Sequence, residues 1–335
     1  MLLHDIFPAM IGPVSGSTGA GPVALGKNLL KPRTIIGFVV AAVVIYIFFR
    51  NFDLKAAVNS ISDANWLLLV ISAIAFYASL PLRGARWGLF LAASGQRISN
   101  SSLSHYYFLS WFANAILPAR IGDLYRAYLL KKNNSVPISL SLGVLISERV
   151  FDLAVTALLV VLSGSYFWAV LSNSEESRYL QWGIAFTFAI VIALVIVLTA
   201  LPAIIKLAPA SWKPKLETFR AGVFKRPALI PIFVLMTAAI WLFEALRLYL
   251  VFLALGLNAG FLAAVFISQA ALILMSLPLS PAGLGFVELL MLKLLSSTGV
   301  TPDIAGAATI ADRLISYWSL VALGGIVYIL SPRVR

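Results

Sequence analysis

Six apolar runs dominate this sequence, and their length decides the solvent in which it can fold. A helix needs roughly 20 apolar residues to cross a hydrocarbon core of about 30 Å, and the runs approach or exceed that length. They cover Ile35–Phe49, Trp66–Leu82, Ile138–Leu162, Leu180–Leu201, Leu229–Leu255 and Ala305–Leu330. Because only 11% of the residues are charged, against about 25% in soluble domains, the chain cannot cover a water-facing surface. The sequence therefore predicts an all-α polytopic integral membrane protein with six full spans.

Residue types that carry much enzyme chemistry are scarce. The chain has no cysteine, and its two histidines are His4 and His105, so thiol nucleophiles, disulfides and metal clusters are not expected. No phosphate-binding glycine loop, dinucleotide fingerprint or HExxH motif occurs. We expect no cofactor, no metal and no enzymatic activity.

Two further apolar stretches, Leu103–Leu117 and Phe261–Leu279, run into corners rich in proline and glycine. The corners read LPARIGD and LSPAGLG, and a second helical pattern follows each. Proline cannot continue a helix and glycine accepts a tight turn. The sequence therefore predicts two re-entrant helical hairpins, over Leu103–Lys132 and Phe261–Leu295. The residues that shape the corners are Pro118, Gly122, Pro281, Gly283 and Gly285.

The formal net charge of +12 indicates orientation rather than nucleic acid binding. Cytoplasmic loops carry the excess of Lys and Arg, and both termini are therefore placed in the cytoplasm, in a cytoplasmic (inner) membrane. This face then holds Lys27, Lys31, Arg33, Arg83, Arg86, Arg97, Arg126, Lys131, Lys132, Lys206, Lys213, Lys215, Arg220, Lys225, Arg226, Arg333 and Arg335. The opposite face holds Arg50, Lys55 and Arg178. Residues 1–30 are interpreted as a flexible cytoplasmic tail, and 31–335 as a single transmembrane domain.

Three blocks of sequence recur in the same order, which indicates a diverged internal repeat. RWGLFLAASG from Arg86 matches RLYLVFLALG from Arg247 at a separation of 161 residues. PARIG matches PAGLG at 163, and SERVFDL matches ADRLISY at 164. The predicted units are about 66–164 and 228–330. Three spans separate equivalent points, so the second unit is expected to be inverted relative to the first, as in many transporters.

Charged residues within the apolar runs are the candidate functional groups, because each costs roughly 2.5–3.5 kcal/mol at the bilayer centre. Glu148 and Asp152 share one face of a helix, while Arg149 points elsewhere. Asp312 and Arg313 repeat the adjacent acid and base, and each is expected to pair with a different element. Two interpretations stay open: a buried ion-pair network that fixes packing, or a polar cavity in which Arg149 and Arg313 hold an anionic headgroup.

The hairpins supply the remaining candidates. Arg120, Asp123 and Arg126 lie on neighbouring turns after the first corner, where guanidinium groups and a helix N-terminus suit phosphate. Snorkelling toward headgroups is the alternative and fits Arg126 best. Glu288 is the polar candidate of the second hairpin. Glu244 and Arg247, one turn apart, are interpreted as a structural pair, and Lys293 as an outer-surface anchor.

The motifs LPARIGDLYRAYLL, LISERVFDL, LPLSPAGLGFVE and ADRLISYW together resemble the lysylphosphatidylglycerol synthase transmembrane-region family. In that family some members carry a soluble aminoacyl-transferase domain, and the membrane part is held to move the product to the outer leaflet. Other members are linked to lipid-linked sugars. The resemblance implies that Arg120, Asp123, Arg126, Glu148, Arg149, Glu288, Asp312 and Arg313 fall on the family's polar positions. Ala282-Gly283 and Val287 depart from the pattern of the second hairpin.

These observations lead to the expectation of a lipid translocase, a flippase for a polar or anionic phospholipid or a lipid-linked headgroup. Its partners would be membrane lipids, with a homo-oligomer or a lipid-modifying enzyme as further possibilities. One alternative is a membrane-embedded or accessory subunit of a lipid glycosyl or aminoacyl transferase, with Asp123, Glu148 or Glu288 as general base. Another is a proton-coupled exporter of a small solute.

Overall fold

The structure, a computed structural model, describes residues 32–117, 120–171, 189, 192–193, 195–223, 226–276 and 280–334. Over these ranges the secondary structure is helical and contains no strand. The predicted tail 1–30, Pro118 and much of the run Leu180–Leu201 lie outside the described residues.

The first described helices are α1 (Pro32–Phe49), α2 (Leu54–Ser62) and α3 (Trp66–Ala93). The sequence did not predict α2, which is short and amphipathic. Asp53 caps the start of this helix: its carboxylate accepts a hydrogen bond from the backbone N–H of Lys55 at 2.8 Å. Such a cap satisfies a backbone donor that the first helical turn leaves unpaired. The α3 helix continues well past the predicted end of its span at Leu82.

The first predicted hairpin is present as two packed helices, α4 (Asn100–Ile116) and α5 (Ile121–Asn134). The long helix α6 (Ile138–Leu171) follows. After it come α7 (Val195–Leu207) and α8 (Lys213–Gly222). The basic residues of Lys206–Arg226 were counted with the cytoplasmic loops, but Lys213–Gly222 of this segment forms the helix α8. A Cβ on Gly222 would lie 2.0 Å from the Leu140 carbonyl oxygen, so glycine lets α8 pack directly on α6.

The second half repeats the architecture. The span α9 (Ile230–Ala254) precedes a second hairpin, formed by α10 (Phe261–Ser276) and α11 (Phe286–Ser297). The chain ends in α12 (Pro302–Arg313), a π-helical turn at Leu314–Trp318, and α13 (Ser319–Leu330). The residues that follow α13 contact the end of α5. Lys132 donates a hydrogen bond to the Val334 carbonyl oxygen at 2.9 Å, and Asn133 donates one to the Arg333 carbonyl oxygen at 3.2 Å.

Three of the described helical segments are long and apolar enough to cross a membrane: Trp66–Ala93, Pro227–Ala254 and Pro302–Leu330. Shorter apolar segments are Val39–Phe49, Val195–Leu207 and Phe261–Met275. The outward surface is correspondingly apolar, with exposed side chains such as Leu67, Ile74 and Leu235. Large exposed apolar surface suits lipid contact rather than water. The chain is a polytopic all-α membrane protein, in agreement with the sequence.

The two halves meet where α3 packs along α9. The Ser72 hydroxyl, fully buried in α3, donates a hydrogen bond to the Arg247 carbonyl oxygen of α9 at 2.8 Å. Charged side chains of both helices lie in this interface, and they belong to the site described next.

Candidate functional site

A chain of ion pairs connects α5 and α6 to α3 in the first half. Arg126 of α5 donates to Glu148 at 2.7 Å, and Arg86 of α3 donates to Asp152 at 2.6 Å. The second carboxylate oxygen of Glu148 lies 3.8 Å from Arg86. Arg86, Arg126 and Glu148 are at most 1% exposed. The orientation argument placed Arg83, Arg86 and Arg126 on the cytoplasmic face. All three are instead buried inside the protein and paired with carboxylates, so they do not face water or headgroups.

Asp123, in the first turn of α5, stabilises the corner of the first hairpin. Its carboxylate pairs with Arg149 of α6, lies 3.7 Å from Arg120, and accepts a hydrogen bond from Asn114 at 3.3 Å. The Asn114 side-chain oxygen in turn accepts the Gly122 N–H at 2.8 Å. Asp123 therefore joins both arms of the hairpin to α6.

The second half builds equivalent pairs from equivalent positions. Arg247 of α9 pairs with Asp312, as Arg86 lies between Glu148 and Asp152 in the first half. Arg313 donates to Glu288 of α11 at 2.7 Å, as Arg149 pairs with Asp123. The second unit follows the expectation that the adjacent acid and base pair with different elements, because Asp312 pairs with α9 and Arg313 with α11. In the first unit Glu148 and Arg149 both pair with α5, through Arg126 and Asp123, and Glu148 also lies 3.8 Å from Arg86 of α3.

Glu288 has a second task at the start of α11. Its other carboxylate oxygen accepts the Gly285 N–H at 2.6 Å, which caps the helix. The Glu288 side chain thus caps the second arm of the hairpin at Gly285 and also binds Arg313.

Both hairpin corners use left-handed backbone at matching positions. Arg120 has φ 53° and Gly283, its counterpart 163 residues later, has φ 69°. Gly122 and Gly285 also correspond, and neither has room for a side chain. A Cβ would lie 2.1 Å from the Ser110 carbonyl oxygen at Gly122, and 2.9 Å from the Val44 Cβ at Gly285. The predicted geometric role of these glycines agrees with the structure, and Pro281 opens the second turn.

Aromatic rings cover two of the arginines that sequence reasoning placed at the surface. The Arg83 guanidinium carbon lies 4.8 Å from the ring centroids of both Trp111 and Trp241. The Arg126 guanidinium carbon lies 4.9 Å from that of Trp87 and 4.4 Å from that of Tyr107. Such contacts between a cation and a ring face strengthen when water is excluded, and they explain how these arginines tolerate burial.

Arg83 and Glu244 link the two halves. Their side chains meet at 2.8 Å across the interface between α3 and α9. Glu244 also lies 3.3 Å from Arg247, so the predicted pair of Glu244 and Arg247 exists but belongs to a longer chain of charges.

A cavity of about 150 Å³ lies at this junction, between the two hairpin corners. Its charged lining residues are Arg83, Arg120, Glu244, Arg247, Asp312 and Arg313. Asn114 and Ala115 approach it from the first hairpin, and Met275, Ala282 and Val287 from the second. Aromatic and aliphatic side chains complete the wall, including Phe76, Trp111, Trp241 and Leu248.

The predicted site residues divide into three groups. Arg120, Asp312 and Arg313 line the cavity directly. Asp123, Arg149 and Glu288 pair with one another or with the lining arginines. Arg126, Glu148 and Asp152 form the buried pairs behind them. Sequence reasoning missed Arg83 and Asn114, although Arg83 stands opposite Glu244 in the repeat and could have been found from that match.

No group of three or more potential metal ligands of the His, Cys, Asp or Glu type occurs within the described residues.

The fold and its charged interior define a polytopic helical membrane protein with an internal cavity lined by charged and apolar side chains. The chain belongs to the family described as the lysylphosphatidylglycerol synthase TM region, which matches residues 34–324.

Several archaeal proteins are similar in sequence. A UPF0104 membrane protein of Methanocaldococcus jannaschii is 33% identical over 224 residues, which are 66% of this chain and 95% of that protein. One from Methanothermobacter thermautotrophicus is 26% identical over 301 residues, covering 80% and 85% of the two chains. The glycosyltransferase AglD of Haloferax volcanii is 25% identical over 342 residues, covering 90% of this chain and 54% of that protein.

Proposed function

We propose that this protein translocates a lipid with an anionic headgroup, and that the headgroup binds in the cavity between the two hairpin corners. The observation that carries the proposal is the position of that cavity. It is lined from both repeat units and by residues of both hairpins. Transporter sites commonly lie at the interface of repeats, where interrupted helices meet.

The charge balance of the site favours an anion. Among the described residues, the ion pairs in and behind the cavity join seven arginines to six carboxylates, so these groups together carry one positive charge in excess. A net charge held away from water is costly unless it is compensated. A headgroup with one negative charge, such as a phosphodiester, would balance the network while it is bound. Guanidinium groups suit this role because they cannot lose their proton and bind phosphate with paired donors.

The remainder of the wall suits a headgroup attached to hydrocarbon. Phe76, Leu248, Leu272 and Met275 give the cavity an apolar side. The buried Trp241 Nε1 has no hydrogen-bond partner among the described residues, and it can donate to a headgroup oxygen. Chains of the lipid would stay in the bilayer while the headgroup crosses.

Reconstituted vesicles test the proposal. Phosphatidylglycerol and phosphatidylcholine, each with a fluorophore on one acyl chain, report headgroup movement when a membrane-impermeant reductant quenches the outer leaflet. We expect faster exchange of phosphatidylglycerol than of phosphatidylcholine, and a slower exchange in Arg313→Gln. The exposed Lys55→Gln is the matched control. Exchange no faster than in protein-free vesicles for both lipids would contradict the proposal.

A second candidate is an accessory role beside a membrane glycosyltransferase. It is favoured by the similarity to AglD, which is named a glycosyltransferase and of which this chain spans about half. Copurification of a glycosyltransferase, with glycan transfer lost when the present chain is depleted and no lipid exchange in vesicles, would favour this role over translocation.

A further inference from the structure

A second concave site lies apart from the central cavity, as a groove of about 470 Å³ between α3, α4 and α13. Its polar lining consists of Ser101, Ser104, His105 and Arg333, and its apolar lining of Leu80, Phe108 and Val327. The groove volume falls within the range of about 300–1,000 Å³ that small-molecule sites occupy.

The polar and apolar linings are separated along the helices. On α4, Phe108 lies one turn further into the helix than Ser104 and His105. Leu80 of α3 stands one turn before Gly84, whose backbone approaches Ser104 so closely that a Cβ would lie 2.3 Å from its hydroxyl. Arg333 follows α13, about two turns after Val327. The polar groups therefore gather at one end of the groove, and the apolar groups lie deeper along it.

The charge at the polar end is positive. Arg333 is only partly buried, with its guanidinium carbon 5.7 Å from the Tyr106 ring centroid. Its carbonyl oxygen accepts a hydrogen bond from the Asn133 side chain at 3.2 Å. Two residues earlier, the Ser331 hydroxyl is hydrogen-bonded to the His105 ring at 2.8 Å. No carboxylate lines this groove within the described residues.

We infer that this groove binds one anionic phospholipid, taken from the leaflet on the side of the chain's C-terminus. The Arg333 guanidinium and the hydroxyls of Ser101 and Ser104 bind the phosphate, and one acyl chain lies along Leu80, Phe108 and Val327. An amphipathic groove with a cation at its wet end matches the two parts of such a lipid.

The same groove borders the route to the central cavity. Leu80, Phe108 and Val327 pack in one apolar cluster with Tyr317 and Leu320, and Tyr317 and Leu320 line the central cavity. One cluster of apolar side chains therefore borders both the groove and the headgroup site. Given the proposed translocation, the groove is the place where a lipid docks before its headgroup reaches the cavity.

Photocrosslinking in vesicles tests the groove separately from the cavity. The probes are phosphatidylglycerol and phosphatidylcholine with a diazirine near the middle of one acyl chain, and crosslinked peptides are identified by mass spectrometry. We expect phosphatidylglycerol to label the segments that contain Phe108 and Val327 more strongly than phosphatidylcholine does. Arg333→Gln should reduce this labelling roughly five-fold, the factor expected for one lost cation near anionic headgroups. The exposed Lys131→Gln, on the neighbouring helix end, should leave it unchanged.

Val327→Trp fills the apolar part and should abolish labelling by both lipids, whereas Ile326→Trp, on the exposed face beside it, should not. Thermal unfolding of each variant in detergent verifies that the protein is folded. Equal labelling in wild type and folded Arg333→Gln would overturn the groove as an anionic lipid site. Loss of labelling by millimolar inorganic phosphate would assign the site to a free anion and overturn the lipid.

The translocation assay separates this inference from the proposed function. Unchanged phosphatidylglycerol exchange in an Arg333→Gln protein whose groove labelling has fallen as expected would overturn docking as a step of translocation. Groove labelling in a wild-type protein without lipid exchange would support the lipid site and contradict the proposed function.

Discussion

Arg83 and Glu244 are counterparts in the internal repeat, 161 residues apart, and their side chains meet at 2.8 Å where α3 packs against α9. Residues that correspond in two related units can touch only near the axis that relates the units. This pair therefore marks the centre of the molecule, and the same two side chains line the cavity.

Reversing the charges of this pair should reveal its contribution to stability. Arg83→Glu or Glu244→Arg places two like charges together in a buried site, and we expect each to lower the free energy of unfolding by roughly 3–5 kcal/mol. The double swap should recover part of the loss, but not the contacts of Arg83 with Trp111 and Trp241. Unfolding in mixed detergent micelles measures the effect. Arg97→Glu, an exposed control, should be nearly neutral, and additive losses in the double variant would argue against direct coupling.

Arg120, which precedes α5, and Arg126 within α5 should respond differently to loss of charge. Arg120→Gln removes one of the guanidinium groups that line the cavity, so it should slow phosphatidylglycerol exchange about ten-fold, with less than about 1 kcal/mol lost in stability. Arg126→Gln leaves Glu148 buried without its closest cation and should cost roughly 3–5 kcal/mol. Exchange assays and detergent unfolding on both variants provide the comparison. Equal exchange in Arg120→Gln and wild type would remove Arg120 from the proposed site.

Stacking on aromatic rings should matter for Arg126 beyond its charge. Arg126→Lys keeps the cation but loses the flat guanidinium between Trp87 and Tyr107, so we expect a destabilisation of roughly 1–2 kcal/mol. Arg50→Lys is the control, because Arg50 lies over Tyr46 at the exposed surface. A similar change in both variants would show that burial does not strengthen the contact.

The tight corner at Gly122 gives a steric prediction. An added methyl group would meet the Ser110 carbonyl oxygen at 2.1 Å, so Gly122→Ala should destabilise the protein by roughly 1–3 kcal/mol. A Cβ at Gly260 would have no neighbour within 4 Å, and Gly260→Ala should change stability by less than about 0.5 kcal/mol. Thermal unfolding in detergent tests the pair, and an equally stable Gly122→Ala protein would contradict the close packing of α4 on α5.

Much of this architecture could be predicted because a bilayer leaves few choices. Apolar run lengths and proline-glycine corners indicate spans and hairpins, since backbone polar groups within a membrane must be satisfied inside the protein. The matched blocks pointed to Arg86 and Arg247, and to Glu148 and Asp312, as corresponding charges, and in the structure each of these arginines lies beside the acid of its own half.

The burial of Arg83, Arg86 and Arg126 could not be predicted by the same route. Counting cations near the ends of apolar runs assumes that each one faces water or headgroups. These three instead face carboxylates from other helices, and the rings that cover two of them come from α3, α4 and α9. Such partners are distant in sequence, and only the packing of the helices brings them together.

The attachment of the last residues to α5 has a practical consequence for protein production. Val334 is 3% exposed and packs in one apolar cluster with Leu103 of α4 and Leu130 of α5, at the base of the first hairpin. The carbonyl oxygens of Val334 and Arg333 accept hydrogen bonds from Lys132 and Asn133. A deletion starting at Ser331 would strip these acceptors and uncover that base, so yields should fall. An affinity tag fused directly after Val334 would disturb the same contacts.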